Sequence, residues 1–133
     1  MPPSSLRLRP FIPAILWAAT IFVLSSFPGS AYPTTTLWNA DKLVHIALYA
    51  PLGAFCAYAL ARVSALRPAL IVVAAAALAT VYGMSDELHQ WFVPGRNSDW
   101  NDVIADGIGS LVGAAVTTVV AALRLRARRP AAR

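Results

Sequence analysis

The chain has 133 residues, 58% of them hydrophobic and 13% charged, with a mean hydropathy of +0.60. Soluble domains carry roughly 25% charged residues, and one this small has no core for apolar runs that each approach the roughly 20 residues of a membrane span, so the bilayer is the natural solvent. The net charge of +5 raises nucleic acid or acidic lipid as partners, but the basic residues flank the apolar segments; membrane orientation explains them and no nucleic acid is expected.

Four apolar segments are predicted as helices. The first covers residues 11–27, after Arg7 and Arg9. Basic residues before an apolar run also resemble a secretory signal peptide, with PGSAYP as a cleavage region. The run is long for a signal core, so a retained helix is expected; removal would alter the helix count and leave the orientation of the others unchanged. The second covers 43–63 and holds Cys56, the one cysteine of the chain, which excludes an intramolecular disulfide and reads as a small packing residue. The third covers 68–90. Its apolar part ends near Met84, so it spans only by continuing into SDELHQWF, which sets that polar stretch at an interface. A tight loop at 64–67 precedes it, and Pro68 suits a first helical turn. The fourth covers 102–124, with Ser98 or Asp99 as N-cap and acids in the first turn to suit the helix dipole. A basic tail, 124–133, frays into solvent or lies on anionic headgroups. No internal repeat is visible. The expected fold is all-α: one membrane domain over residues 1–133, a four-helix bundle with short loops.

Orientation follows from Lys and Arg in the short loops. With the amino terminus inside, the cytoplasmic side holds Arg7, Arg9, Arg62, Arg67, Arg124, Arg126, Arg128, Arg129 and Arg133, and the other side holds only Lys42 and Arg96. Both termini are therefore expected in the cytoplasm. The six acids (Asp41, Asp86, Glu87, Asp99, Asp102 and Asp106) all fall outside, with Trp38, Trp91 and Trp100 near that boundary as interfacial anchors. Trp17 falls within the first helix, nearer the cytoplasmic end.

The polar residues form three clusters on that outer side. In DKLVHIALY, Asp41, His45 and Tyr49 recur every four residues and share a helical face. In SDELHQWFVPGR, Asp86, His89 and Gln90 share a face before Pro94-Gly95 forces a turn. In NSDWNDVIADGIGSLVG, Asp99, Asp102 and Asp106 continue into Gly109 and Gly113 along one stripe. His45 and Asp106 lie inside apolar runs, where an unpaired charge at mid-membrane costs about 2.5–3.5 kcal/mol. They are expected to face one another across the bundle, with Arg96 as cationic partner of the acids, around a polar pocket toward the outer leaflet.

Each element also has a plainer reading. Asp41 and Asp99 serve as caps, His45 bonds a neighbouring helix, Asp86 and Glu87 form a solvated turn, Tyr49 packs, and Gly107, Gly109 and Gly113 allow close helix approach. Convergence of the three clusters favours a site. Catalytic candidates are His45, Asp86, Glu87, His89 and Asp102. Binding candidates are Asp41, Lys42, His45, Tyr49, Asp86, Gln90, Arg96, Asp102 and Asp106. Imidazole and carboxylates suit zinc or manganese, but no HExxH or comparable motif is present, so no metal site is assigned and the cofactor is left open. General acid–base work by His45 or His89 with a carboxylate is chemically reasonable. Neither a phosphate-binding glycine loop nor a Ser-His-Asp signature is recognisable.

Taken together, DKLVHIALYAPLG, SDELHQWFVPGR and SDWNDVIADGIGSLVG resemble the VanZ-like family of bacterial membrane proteins, in order and separation, from Trp38 to Gly113. The matching motif residues are Asp41, Lys42, His45, Tyr49, Gly53, Asp86, Glu87, Gln90, Arg96, Asp102, Gly109 and Gly113. One departure is Asp106, where the family pattern usually shows asparagine. The resemblance implies a short helical protein of the cell envelope, with a founding member linked to low-level resistance to the lipoglycopeptide teicoplanin. The expected partners are membrane lipids and a lipid-linked envelope precursor or other amphipathic ligand. The alternatives are a membrane-embedded enzyme using the His, Asp and Glu set on a lipid-borne substrate, a proton- or ion-coupled transporter, and a purely structural role. Four short helices without a repeat weigh against transport, and a structural role leaves the polar face unexplained. Oligomeric state is left open.

Overall fold

The computed structural model describes residues 8–32 and 40–128. Trp38, Arg7, Arg129 and Arg133 lie outside the described residues. The protein is all-α, with four α-helices and no strand among the described residues: α1, Ile12–Ser25, entered through a 3₁₀ turn at Arg9–Phe11; α2, Ala40–Val63; α3, Pro68–Gln90; and α4, Trp100–Ala127.

Helices α2, α3 and α4 have 24, 23 and 28 residues and are long and apolar enough to cross a bilayer. Helix α3 runs unbroken through SDELHQ, with Pro68 in its first turn, as the spanning length required. Helix α4 starts at an Asp99 cap, whose carboxylate accepts from the Asn101 backbone N–H at 2.9 Å. At its other end the helix continues to Ala127, so the basic stretch is helical rather than frayed over Arg124 and Arg126.

The first helix differs from expectation. Its α-helical part has 14 residues and stops at Ser25; with the 3₁₀ turn the run Arg9–Ser25 reaches about 27 Å at about 1.5 Å per α-helical and about 2.0 Å per 3₁₀ residue, just under a hydrocarbon core of about 30 Å. The Ser25 and Ser26 hydroxyls turn back to the Phe22 carbonyl at 3.0 and 2.6 Å, and Pro28 follows. Such local bonds compete with continuation of the helix. Among the described residues three helices are long and apolar enough to cross a membrane by length and composition, and Arg9–Ser25 is a shorter apolar helix.

Packing is by small residues. Helices α2 and α4 approach so closely that a Cβ built on Gly53 would lie 2.1 Å from the Ser110 carbonyl oxygen, and one on Gly113 would lie 1.8 Å from that of Ala50. Glycine is the residue that admits such backbone contact between apolar helices. Ala57, Ala59, Ala75, Ala79 and Ala114 are buried around this seam. Large apolar side chains such as Leu70, Val73, Val81, Ile104, Val112 and Val116 point outward and are exposed, the reverse of a water-soluble bundle and the pattern lipid contact requires. Helix α1 is held to the others by two polar anchors: Trp17 Nε1 donates to the Leu48 carbonyl at 2.7 Å, and the Tyr82 hydroxyl donates to the Ala18 carbonyl at 2.6 Å. Trp91 and Trp100, at the adjoining ends of α3 and α4, are exposed as interfacial anchors would be.

Candidate functional site

The three polar clusters meet where α2 and α4 begin and α3 ends. Lys42, in the first turn of α2, is the cation at the centre of the cluster's rim. Its ammonium donates to Asp41 Oδ2 at 3.0 Å, Asp99 Oδ2 at 2.8 Å and Asp102 Oδ1 at 2.5 Å. The ammonium beside it lowers the cost of holding the Asp102 carboxylate in a buried position. Lys42 also holds the Asp99 carboxyl below the usual carboxylate range, by hydrogen bonding more than by any other cause.

One turn deeper, His45 Nδ1 hydrogen-bonds Asp106 Oδ1 at 2.8 Å, while its Nε2 lies 3.9 Å from Asp102 Oδ2. The imidazole therefore sits between two carboxylates of α4. Asp106 is fully buried, and its second oxygen, Oδ2, has no hydrogen-bond partner. That side chain fits because α3 offers no Cβ opposite it: one added at Gly83 would lie 2.5 Å from Oδ2. Tyr49, a further turn along α2, stacks its ring on His45 at 6.4 Å and is completely buried, with an unpartnered hydroxyl.

From α3, Glu87 Oε2 accepts from the Asp99 backbone N–H at 3.0 Å, tying the end of α3 to the start of α4; its Oε1 is buried without a partner. Asp86 accepts from Gln90 Nε2 at 3.0 Å through Oδ2, and its Oδ1 is likewise unpartnered. Both acids are buried, so neither is the solvated turn of the plainer reading.

Two sequence expectations need correcting. His89 does not join Asp86 and Gln90: it packs on the Phe22 ring at 4.6 Å and meets the Ser26 hydroxyl at 3.1 Å, both on the α1 side. A three-residue step turns it far enough around α3 to face α1. Arg96 is not the partner of the acids. Among the described residues no carboxylate lies within 4 Å of it, and its guanidinium lies over the Tyr32 ring at 4.6 Å. The backbone sets this position. Gly95 adopts a φ of +73°, and the Gly29 N–H donates to the Pro94 carbonyl at 3.1 Å, which docks the α3–α4 connection onto the segment after α1.

A cavity of about 310 Å³ opens beside the cluster. Ile21, Leu24, Val44 and Leu48 form its apolar wall; His45, Tyr49, Asp86, Gln90 and Arg96 form its polar wall. Asp41 and Tyr32 also line it. Sequence reasoning missed the contribution of α1 and of Tyr32, because no spacing within the apolar α1 singles out a face. Lys42, Asp102, Asp106 and Glu87 lie behind this cavity in the cluster rather than on its wall. His45, Glu87 and Asp106, one from each long helix, offer ligand atoms that all lie within 4.8 Å of one another, so these residues could hold a metal ion.

The family model described as VanZ/LLP1 matches residues 10–121. No curated protein and no solved structure matches the chain.

Proposed function

The chain belongs to the VanZ/LLP1 family and is a VanZ-like membrane protein; from this premise we propose that it acts in the bacterial cell envelope by holding the polar head of an amphipathic, lipid-linked molecule in the cavity between α1, α2 and α3. The observation that carries this reading is the two-sided lining of that cavity, apolar through Ile21, Leu24, Val44 and Leu48 and polar through His45, Tyr49, Asp86, Gln90 and Arg96. A volume of about 310 Å³ lies at the lower end of the range for small-molecule sites. The Asp86 Oδ1, Arg96 Nε and Tyr49 hydroxyl are buried without partners, and buried polar groups left unpaired are costly. Hydroxyl, amide or phosphate groups of a ligand head would satisfy them, while Ile21 and Leu24 meet its chain. The excess of Lys and Arg at the opposite ends of the helices supports a topology with both termini in the cytoplasm and the cavity toward the outer leaflet. In that position the protein would alter susceptibility to lipoglycopeptides such as teicoplanin by engaging the drug's lipid tail or the envelope precursor it targets.

A second reading is supported by the position of His45 between Asp102 and Asp106 and at the cavity wall. An imidazole held by carboxylates suits general acid–base work on a lipid-borne substrate.

The test is native mass spectrometry of the protein purified in mild detergent, beside its Asp86→Asn and Arg96→Gln variants. Wild type is expected to retain an amphiphile that both variants lose while still accumulating in the membrane. Retention unchanged by either substitution would refute the binding role. Turnover of the retained molecule by wild type but not by His45→Gln would favour the enzyme.

A further inference from the structure

Beyond the lipid-binding reading, and independent of it, the geometry points to a binding site for one divalent transition-metal ion, of the zinc and manganese class, held by His45, Glu87 and Asp106. The three ligands come from α2, α3 and α4, so the site exists only in the assembled bundle. Their ligand atoms lie within 4.8 Å of one another. A tetrahedral ion with bonds of about 2.0 Å needs its ligands roughly 3.3 Å apart. The His45 Nδ1 to Asp106 Oδ1 separation of 2.8 Å is already close to that edge, and small rotamer changes bring in Glu87.

Two unpartnered oxygens supply the independent sign of a ligand. Asp106 Oδ2 and Glu87 Oε1 are buried and make no hydrogen bond, although Asp106 is 0% and Glu87 4% exposed. Asp106 Oδ2 lies against Gly83, on the α3 face that carries Glu87 one turn later. The charges agree. Lys42 is already engaged by Asp41, Asp99 and Asp102, which leaves Glu87 without a cation within 4 Å among the described residues and Asp106 with only the imidazole. A dication would meet this excess.

The surrounding shell suits ligation. With Nδ1 on the metal, His45 Nε2 faces Asp102, 3.9 Å away in the present arrangement, and a carboxylate on the far nitrogen orients and strengthens a ligating imidazole. Glu87 is steadied through its other oxygen by the Asp99 N–H. The site is reachable on two sides: His45 lines the 310 Å³ cavity, and Glu87 lines a recess of about 210 Å³ shared with Met84, Trp91, Ser98 and Asp99. A fourth coordination position is left for water or for an anionic oxygen of a bound molecule. No HExxH pattern announces this site because its ligands lie on three separate helices.

The experiment uses the full chain in detergent, stripped with chelator and then titrated calorimetrically with zinc or manganese ions alone, with metal content measured after gel filtration. One ion per chain is expected. The variants His45→Gln, Glu87→Gln and Asp106→Asn should each weaken binding by roughly tenfold or more, the loss typical even when only a group hydrogen-bonded to a ligand is changed. His89→Gln, which removes the other histidine, should bind as wild type does. Folded wild type that retains no ion, or retention in all three ligand variants as strong as in wild type, would overturn the assignment. If those variants do not fold, manganese-loaded His89→Gln protein decides by electron paramagnetic resonance. Nitrogen coupling from an imidazole supports the site, and ligation by oxygen alone overturns it. Failure of lipid retention leaves this result untouched, because no amphiphile enters the titration.

Discussion

The seam between α2 and α4 can be tested by adding one methyl group. In Gly113→Ala the new Cβ would stand 1.8 Å from the Ala50 carbonyl oxygen and 2.7 Å from its carbon, both backbone atoms that cannot rotate aside. Real Cβ contacts stay beyond 3.0 Å, so the helices must separate by on the order of 1 Å at that crossing. Overpacking of this kind costs about 1–3 kcal/mol, and a rigid backbone neighbour puts the value at the upper end. The same separation stretches the Lys42–Asp102 and His45–Asp106 contacts, which join these two helices. Gly107→Ala is the matched control: its Cβ would meet only the Thr80 side chain, at 3.4 Å. Cys56 is buried and is the sole cysteine, so a thiol-reactive dye reports unfolding directly as the protein is heated in detergent. Gly113→Ala should melt several degrees below wild type, while Gly107→Ala melts close to it. Equal melting of the two variants would refute the close-contact account of the seam.

Three further outcomes follow from the site. Lys42→Gln removes the cation shared by Asp41, Asp99 and Asp102 and should destabilise the bundle by about 1–3 kcal/mol, less than a fully enclosed pair would lose because Lys42 keeps some solvent contact; the same dye melt measures it. The Asp99 carboxyl titrates below its ordinary value of 3.8, so its contribution to stability is present above that pH and is lost as the pH falls through the lower folded value. Comparing wild type with Asp99→Asn across this range should show a gap at neutral pH that closes in acid, and a gap that widens in acid would contradict the pairing. Orientation is read in intact cells from a Cys56→Ala background: Ser98→Cys should react with a membrane-impermeant thiol reagent and Ala65→Cys should not, with the reverse pattern inverting the topology.

Much of this arrangement is legible before any coordinates. The third helix was expected over 68–90 and is Pro68–Gln90, because Pro68 marks the start and span length sets the end. The second and fourth begin two or three residues earlier than their apolar runs, since Asp41 and Asn101 extend helices that hydropathy alone would cut. The first ends early because hydropathy does not register serine hydroxyls bonding back to Phe22. In the site, the four-residue spacing of Asp41, His45 and Tyr49 and the cost of an isolated charge at Asp106 are enough to anticipate the His45–Asp106 pair. Charge pattern does not tell which cation meets which acid. Lys42 and Arg96 lie at the same end of the bundle, and only the docked Pro94-Gly95 turn sends Arg96 to Tyr32 and leaves the aspartates to Lys42.

The shortness of α1 has a consequence for the surrounding lipid. Its neighbours are 23 residues or longer, whereas the run Arg9–Ser25, 3₁₀ turn included, leaves an apolar height about 3 Å short of the bilayer core. Lipid beside it must thin, or headgroups and water must dip along its flank. The end of α1 at Leu24 and Ser25 also borders the cavity. That indentation would let the polar recess meet headgroups at a depth where the rest of the bundle meets only acyl chains.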